Sequence, residues 1–339
     1  MNALERSWYQ KFGWSWLLLP LSALFAGLSA LRRLAFRCGL KARHRLRVPV
    51  IVVGNISVGG TGKTPVTLRL CEMLQANGWR PGIISRGYGV KLQAPRLVKA
   101  DDAPAESGDE PVLLAQRSGC PVVIFPDRVQ GGQFLLANTD CDIIICDDGL
   151  QHYALKRDVE IVLIDASRGV GNGLLLPAGP LREGRWRLAQ ADVVLSNGTL
   201  TDRQLVKCSH GSFILRASAP APLLANSPEL SPDMAVQLVS GIGNPQRFLQ
   251  TVGQLGYQIA GTHWFADHHP FTPTDLAKVP TPLLMTEKDA VKCRSFAKAG
   301  WYSLPVQAVL PPDVETFILK RVSMLNRQPG AVAGSSDGI

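Results

Sequence analysis

Residues 54–64 read GNISVGGTGKT, and residues of these types at this spacing are suited to holding a run of phosphates. Glycines let backbone N–H groups wrap phosphate oxygens, a lysine reaches the β- and γ-phosphates, and a Thr hydroxyl ligates Mg2+. Ser57, Gly59, Gly60, Thr61, Gly62, Lys63 and Thr64 fill those places, with Ser57 standing where the strict pattern has glycine. A glycine-rich turn with a chance GKT is the plain alternative. The β-branched run before the loop and the amphipathic spacing after it favour the phosphate loop. No NKxD is present, and TEKD at 286–289 has its Lys and Asp adjacent, so the expected nucleotide is ATP rather than GTP.

Carboxylates come next. The apolar run IIIC at 143–146 ends in Asp147 and Asp148, and an Asp at the end of such a strand fixes the magnesium shell in phosphate-loop enzymes. Asp109 and Glu110 form a second pair, and a kinase needs a carboxylate to take the proton of the attacking hydroxyl; a solvated turn is the other reading of such a pair. Three of the six histidines fall in HWFADHH at 263–269. No Cys or Glu nearby completes a tetrahedral metal set, which leaves a surface loop or a histidine that assists a base across a cleft.

These groups have to be carried by elements, and the charge pattern shows where the elements begin. The net charge of +9 is concentrated in residues 1–71, which hold eleven Lys and Arg against one Glu. Within them lies WSWLLLPLSALFAGLSAL at 14–31, eighteen residues without a charge. As a helix they cover about 27 Å, close to the roughly 30 Å of a bilayer core. Trp8, Trp14 and Trp16 stand at the upstream end of the run and Arg32, Arg33, Arg37, Lys41, Arg43, Arg45 and Arg47 follow it. This order predicts membrane association with the basic side in the cytoplasm. DNA binding suits the charges but leaves the apolar run unexplained, and a cleaved signal peptide lacks a good small-residue site. Seven scattered cysteines without a CxxC pair argue against a disulfide framework or a zinc site.

Beyond residue 47 short apolar runs alternate with helical stretches: strands near 48–53, 82–85, 122–125, 142–146, 160–164 and 193–196, and a helix over 64–77. This predicts an α/β fold of the phosphate-loop NTPase type, a mostly parallel sheet with helices on both faces. Segments 97–110 and 165–190 read as long loops. A second strand–helix series over 235–326 predicts a smaller α/β domain closing over the site. The proline-rich 217–234 reads as a linker between it and the 48–216 core, 1–47 as the membrane-associated part, and 327–339 as a disordered tail.

Taken together, VGNISVGGTGKTP at 53–65, SRGYG at 85–89, GDEP at 108–111, PDR at 126–128, CDDGLQH at 146–152, LLPAGPLRE at 175–183, SGIGNPQRF at 240–248, DHHPF at 267–271 and TEKDAVK at 286–292 resemble the tetraacyldisaccharide 4′-kinases of lipid A synthesis in Gram-negative bacteria. The resemblance spans essentially the whole chain. It implies transfer of the ATP γ-phosphoryl group, with Mg2+, to a tetraacylated glucosamine disaccharide 1-phosphate on the cytoplasmic face of the inner membrane, giving lipid IVA. It implies Lys63 and Thr64 as holders of phosphates and Mg2+, Asp109 as general base, and His268 of the DHH segment as its partner, with His269 the neighbouring choice. Glu110, Arg128, Asp147, Asp148 and His152 are implied to line the nucleotide–metal site or its rim, and the N-terminal helix to be monotopic. The expected partners are the lipid substrate and an anionic membrane surface, not nucleic acid. The rival from another class is a membrane-bound phosphate-loop switch ATPase acting on a protein.

Overall fold

The alternating pattern folds into two sheets whose strand ends face each other. The protein is described here by a computed structural model covering residues 3–10 and 12–326; the expected disordered tail at 327–339 lies outside the described residues. In chain order the strands are β1 (Val50–Gly54), β2 (Pro81–Ser85), β3 (Arg96–Val98), β4 (Val122–Ile124), β5 (Ile143–Asp147), β6 (Val159–Asp165), β7 (Val193–Asn197), β8 (Gly211–Ala217), β9 (Ala221–Pro222), β10 (Ala235–Ser240), β11 (Gln258–Trp264), β12 (Leu283–Thr286), β13 (Trp301–Leu304) and β14 (Val306–Val309). Nine form a large sheet in the order β14-β8-β7-β6-β1-β5-β2-β4-β3, and five form a small one, β11-β10-β12-β13-β9. Pairing is parallel except at β3, β9 and β14, which lie antiparallel at sheet edges.

The large sheet is built from side chains that alternate across it. In β1, Ile51 and Val53 pack with the helices Lys63–Ala76, Asp109–Ser118 and Pro312–Asn326. Val50 and Val52 point to the other face with the helix Arg128–Asn138 and Leu46. All four are at most 1% exposed, and each such side chain contributes roughly 1.5–3 kcal/mol through burial. A parallel sheet covered on both faces in this way sends its βα loops to a single edge, where the phosphate loop after β1 and the Asp147–Asp148 turn after β5 lie side by side.

Three expectations are corrected. The second unit does not run to 326: β14 pairs with β8 of the large sheet, and Val314, Ile318 and Val322 of the following helix are buried in the large sheet's core. The segment 217–234 is not a free linker, since β9 pairs with β13 and Leu230 is buried in the small sheet's core. Pro222 suits this edge strand, where a missing donor costs little. Within 97–110 the chain forms the end of β3, a helical turn at Pro104–Ser107 and the start of the helix Asp109–Ser118. Asp109 and Glu110 therefore open a helix rather than close a loop.

The apolar N-terminus forms a 3-10 turn at Trp14–Leu18 and a helix at Leu19–Arg37, long and apolar enough to cross a membrane by length and composition. One side of it is held to the large-sheet unit. Ser22 Oγ donates to the Leu175 carbonyl at 2.8 Å, Arg33 lies 4.6 Å from the Trp186 ring centroid, and the Phe36 and Tyr153 rings are 6.0 Å apart. The other side carries Leu17, Leu21, Leu24, Leu28, Leu31 and Leu34, each more than half exposed, at the spacing of a single helical stripe.

Candidate active site

The phosphate loop leaves β1 at Gly54, which has no room for a side chain: a Cβ there would stand 2.5 Å from that of Leu150. The loop enters the helix Lys63–Ala76 through Gly62, whose φ of 94° is left-handed. No side chain caps that helix, so its first N–H groups are available to an anion. Asn55, fully buried, donates to the Gly59 carbonyl at 3.3 Å and braces the loop from inside. Lys63 Nζ lies 3.5 Å from Asn55 Oδ1 and 3.6 Å from Asp148 Oδ1. Asn197, at the end of β7, donates to the Thr61 carbonyl at 3.3 Å.

At the end of β5, Asp147 is buried and accepts from Thr67 Oγ1 at 3.1 Å. Asp148 adopts a left-handed φ of 48°, which turns the chain so that Gly149 N donates to the Val53 carbonyl. Burial first, then the charges of Glu110 and Asp148, push the Asp147 carboxyl up to about 7. Asp148 moves down: burial opposes ionisation, but Lys63 and then Arg182, 3.3 Å away, outweigh it. Among the described residues no group of three or more His, Cys, Asp and Glu could hold a metal by itself. Mg2+ does not need one, because it is bound by one or two carboxylates together with phosphates and water. Carboxylate oxygens crowded enough to resist ionisation beside a phosphate loop fit such an ion.

The small sheet supplies the rest from the loops after its parallel strands. Asp289 organises them, accepting from Gly241 N, Ser240 Oγ and Thr286 Oγ1. The loop after β11 brings His268, with φ 60°, so that Nδ1 lies 3.1 and 3.2 Å from the two oxygens of Asp109. From the helix after β12, Lys288 Nζ sits 3.2 Å from His268 Nε2 and 3.0 Å from Glu110 Oε1, and Lys292 Nζ is 3.8 Å from Asp109. Lys288 needs a lone pair on Nε2, and the carboxylate needs a proton on Nδ1. The neutral Nδ1–H tautomer satisfies both. Burial would raise Asp109, but the His268 hydrogen bond and the Lys288 and Lys292 charges hold it down at about 2. Asp109 is also the first residue of its helix, where a negative charge is favoured. His268 is raised by its bond to Asp109 against burial and Lys288.

A phosphate loop, a carboxylate end beside it and an acid on the same unit met by a histidine from the second sheet are an arrangement that can carry out phosphoryl transfer. The tetraacyldisaccharide-1-P 4′-kinase family model matches residues 14–323. The chain belongs to this family. It is 48% identical over 350 residues to the tetraacyldisaccharide 4′-kinase of Shewanella amazonensis, covering 99% of both proteins, and 47% identical over 334 residues to that of Aeromonas hydrophila, covering 97% of this chain and 98% of that protein. Its fold matches the crystal structure of LpxK from Aquifex aeolicus in complex with ATP, with a TM-score of 0.73 and 27% identity, over 91% of this chain and 99% of that one.

Of the residues singled out in the sequence, Lys63 meets Asp148 beside Asp147, and Asp109, His268 and Glu110 are joined through Lys288. Glu110 is engaged by Lys288 as well as pressing on Asp147. His269 is directed elsewhere, to Asp275 at 3.2 Å, so the structure brings His268 to the acid. Arg128 is 4% exposed, and its Nη1 donates to the Phe125 and Pro126 carbonyls. It acts on Asp148 and His152 through its charge. Burial and Arg128 push His152 down to about 4. Its Nε2 accepts from Arg128 N at 3.3 Å, and its buried Nδ1 has no partner among the described residues. Sequence reading missed Asn55, Gln151, Arg182, Lys288 and Lys292. The two lysines stand four apart in TEKDAVK, one helical turn after a buried strand, which is the only local sign of a shared face.

Proposed function

We propose that this protein transfers the γ-phosphoryl group of ATP to the 4′-hydroxyl of a tetraacylated glucosamine disaccharide 1-phosphate, giving lipid IVA, at the cytoplasmic face of the bacterial inner membrane. The observation that carries this reading is the Asp109–His268 pair, formed between the phosphate-loop unit and the small-sheet loop after β11. An ATPase that only switches has no use for a base of this kind, and a kinase with a hydroxyl acceptor needs one. Lys63 and the open N-terminus of its helix hold the β- and γ-phosphates. Asp109, kept ionised, accepts the acceptor hydroxyl's proton, while His268 orients the carboxylate and Lys288 orients His268. Thr64, Asp147 and Asp148 would hold Mg2+, with Glu110 at the margin, and the ion would neutralise charge on the phosphates. Closure of the small-sheet loops over the site excludes water and limits ATP hydrolysis.

The lipid acceptor is supported by how the site connects to the apolar helix. Gln151 Nε2 donates to the Asn55 carbonyl at 3.1 Å and to Glu183 at 3.0 Å, Glu183 accepts from Tyr153 at 2.5 Å, and the Tyr153 ring meets Phe36. The apolar helix that would anchor the acceptor is thus tied to the phosphate loop by a run of side-chain contacts. Arg32, Arg37 and Arg43 follow the apolar run in sequence and are exposed, available to an anionic surface or the substrate's 1-phosphate. The test is transfer of γ-32P to the disaccharide lipid in mixed micelles by wild type and Lys63→Ala. Labelled lipid that disappears in the variant is expected. ATP hydrolysis stimulated by membranes alone, with no labelled lipid, would overturn the reading.

A further inference from the structure

Arg168 is a cation that the reaction as described leaves unused. It stands in the turn after β6, where Arg168 N and Gly169 N donate to the Asp165 carbonyl at 3.2 and 2.7 Å. Its guanidinium touches three separate parts of the molecule. Nη1 lies 3.0 Å from the place a Cβ on Gly59 would occupy, Nη2 donates to the Gly243 carbonyl in the loop after β10, and the guanidinium carbon is 5.9 Å from the Tyr9 ring centroid. Among the described residues no carboxylate pairs with it; the nearby Asp165 uses Oδ1 for Arg247 at 2.6 Å and for Ser167, and its buried Oδ2 has no partner. A guanidinium with one carbonyl partner and a ring beside it retains N–H donors for an anion.

We propose that Arg168 is a catalytic residue that contacts the γ-phosphoryl group in the transition state; this rests on the kinase reading. Gly59 and Gly60 belong to the loop whose N–H groups face the phosphates. A Cβ on Gly243 would stand 3.7 Å from Gly60 N and 3.2 Å from Asp267 Oδ2. Arg168 therefore sits where the phosphate loop meets the two small-sheet loops, one of which carries His268. In the transfer the acceptor oxygen forms a bond to the γ-phosphorus. The bond to the β,γ-bridging oxygen breaks with its electron pair leaving on ADP, and the acceptor's proton goes to Asp109. Charge spread over the three equatorial oxygens is stabilised by cations on more than one side, and an arginine supplied within the chain is one way to provide it. The lysine that precedes the double glycine in partition-type ATPases is Val58 here. Arg168 brings a second positive charge to the loop from another element.

The experiment compares full-length wild type, Arg168→Ala and Arg168→Lys in mixed micelles, with binding of ADP and of β,γ-imido-ATP measured alongside. Arg168→Ala is expected to lower kcat by about 10²- to 10³-fold. It should weaken the imido analogue about tenfold while ADP binding stays within about threefold, because ADP lacks the group Arg168 contacts. Added guanidine should restore part of the rate. Arg168→Lys, which keeps the charge without the fork, should show the same split between nucleotides with a smaller loss, and serves if the alanine variant does not fold. Equal weakening of both nucleotides, or a kcat within about threefold of wild type, would overturn the assignment and leave the kinase reading standing. A wild type that labels no lipid would overturn both.

Discussion

Two pairs of neighbouring carboxylates border the site, and the surroundings drive the first member of each in opposite directions. Asp147 and Asp148 end β5; Asp109 and Glu110 begin a helix. Asp147 and Asp109 are both buried, so desolvation alone would raise both. Asp147 is pushed up to about 7 because its next strongest influences are two more carboxylates, while Asp109 is held at about 2 by His268, Lys288 and Lys292. The difference lies in where the counter-charges come from. Those of Asp109 arrive from the loops of the small sheet, whereas Asp147 has within its own unit only Lys63 and the Thr67 hydroxyl in opposition. One pair is balanced by the second unit and suits a base that stays ionised. In the other, Asp148 has Lys63 and Arg182 but Asp147 is balanced by nothing so strong in the chain and suits a divalent cation.

The largest effect that probes this contrast comes from the balanced pair. Asp109→Ala should lower kcat on the order of 10³-fold while ATP binding is retained, as read by steady-state kinetics beside nucleotide titration. Loss of binding in step with rate would make Asp109 a nucleotide ligand and erase the distinction. In the unbalanced pair, Asp147→Asn should raise the Mg2+ concentration for half-maximal activity by roughly 10- to 100-fold, leaving the KM for the lipid near its wild-type value. A Mg2+ dependence that does not move would remove the metal role from the end of β5.

The two halves of this contrast were unequally legible in the sequence. The β5 carboxylates and the phosphate loop are local: an apolar run ending in charge, a glycine spacing before a helix. Asp109 and His268 stand out as residue types, but their meeting is separated by 159 positions, and nothing in either segment states it without the family resemblance. Lys288, Lys292 and Arg182 look like ordinary solvated charges until the sheets are assembled. The same limit explains the misplaced end of the second unit. Residues 306–309 are a short strand like any other, and it is the antiparallel edge offered by β8, not their own pattern, that carries the last helix back to the large sheet.

The smallest effect expected is also the one that separates His268 from the base it serves. His268 is raised above its ordinary 6.5 by Asp109 and stands against Lys288, Asp267 and the Tyr88 ring, whose centroid is 5.0 Å away. Its protonated form is therefore present below a pH somewhat above 6.5 and lost as pH rises through that value. Protonation removes the Nε2 lone pair that Lys288 uses and adds a positive charge beside Asp109, which weakens the carboxylate as a base. Activity in wild type should thus rise with pH through this titration, whereas Asp109 itself, at about 2, is ionised throughout the range. His268→Asn should cost about tenfold in kcat at neutral pH, less than the 10²- to 10⁴-fold typical of a full general base, and its pH–rate profile should lose that acidic limb. A limb of unchanged position in the variant would assign the titration to another group, and the balanced pair would then owe its behaviour to the lysines alone.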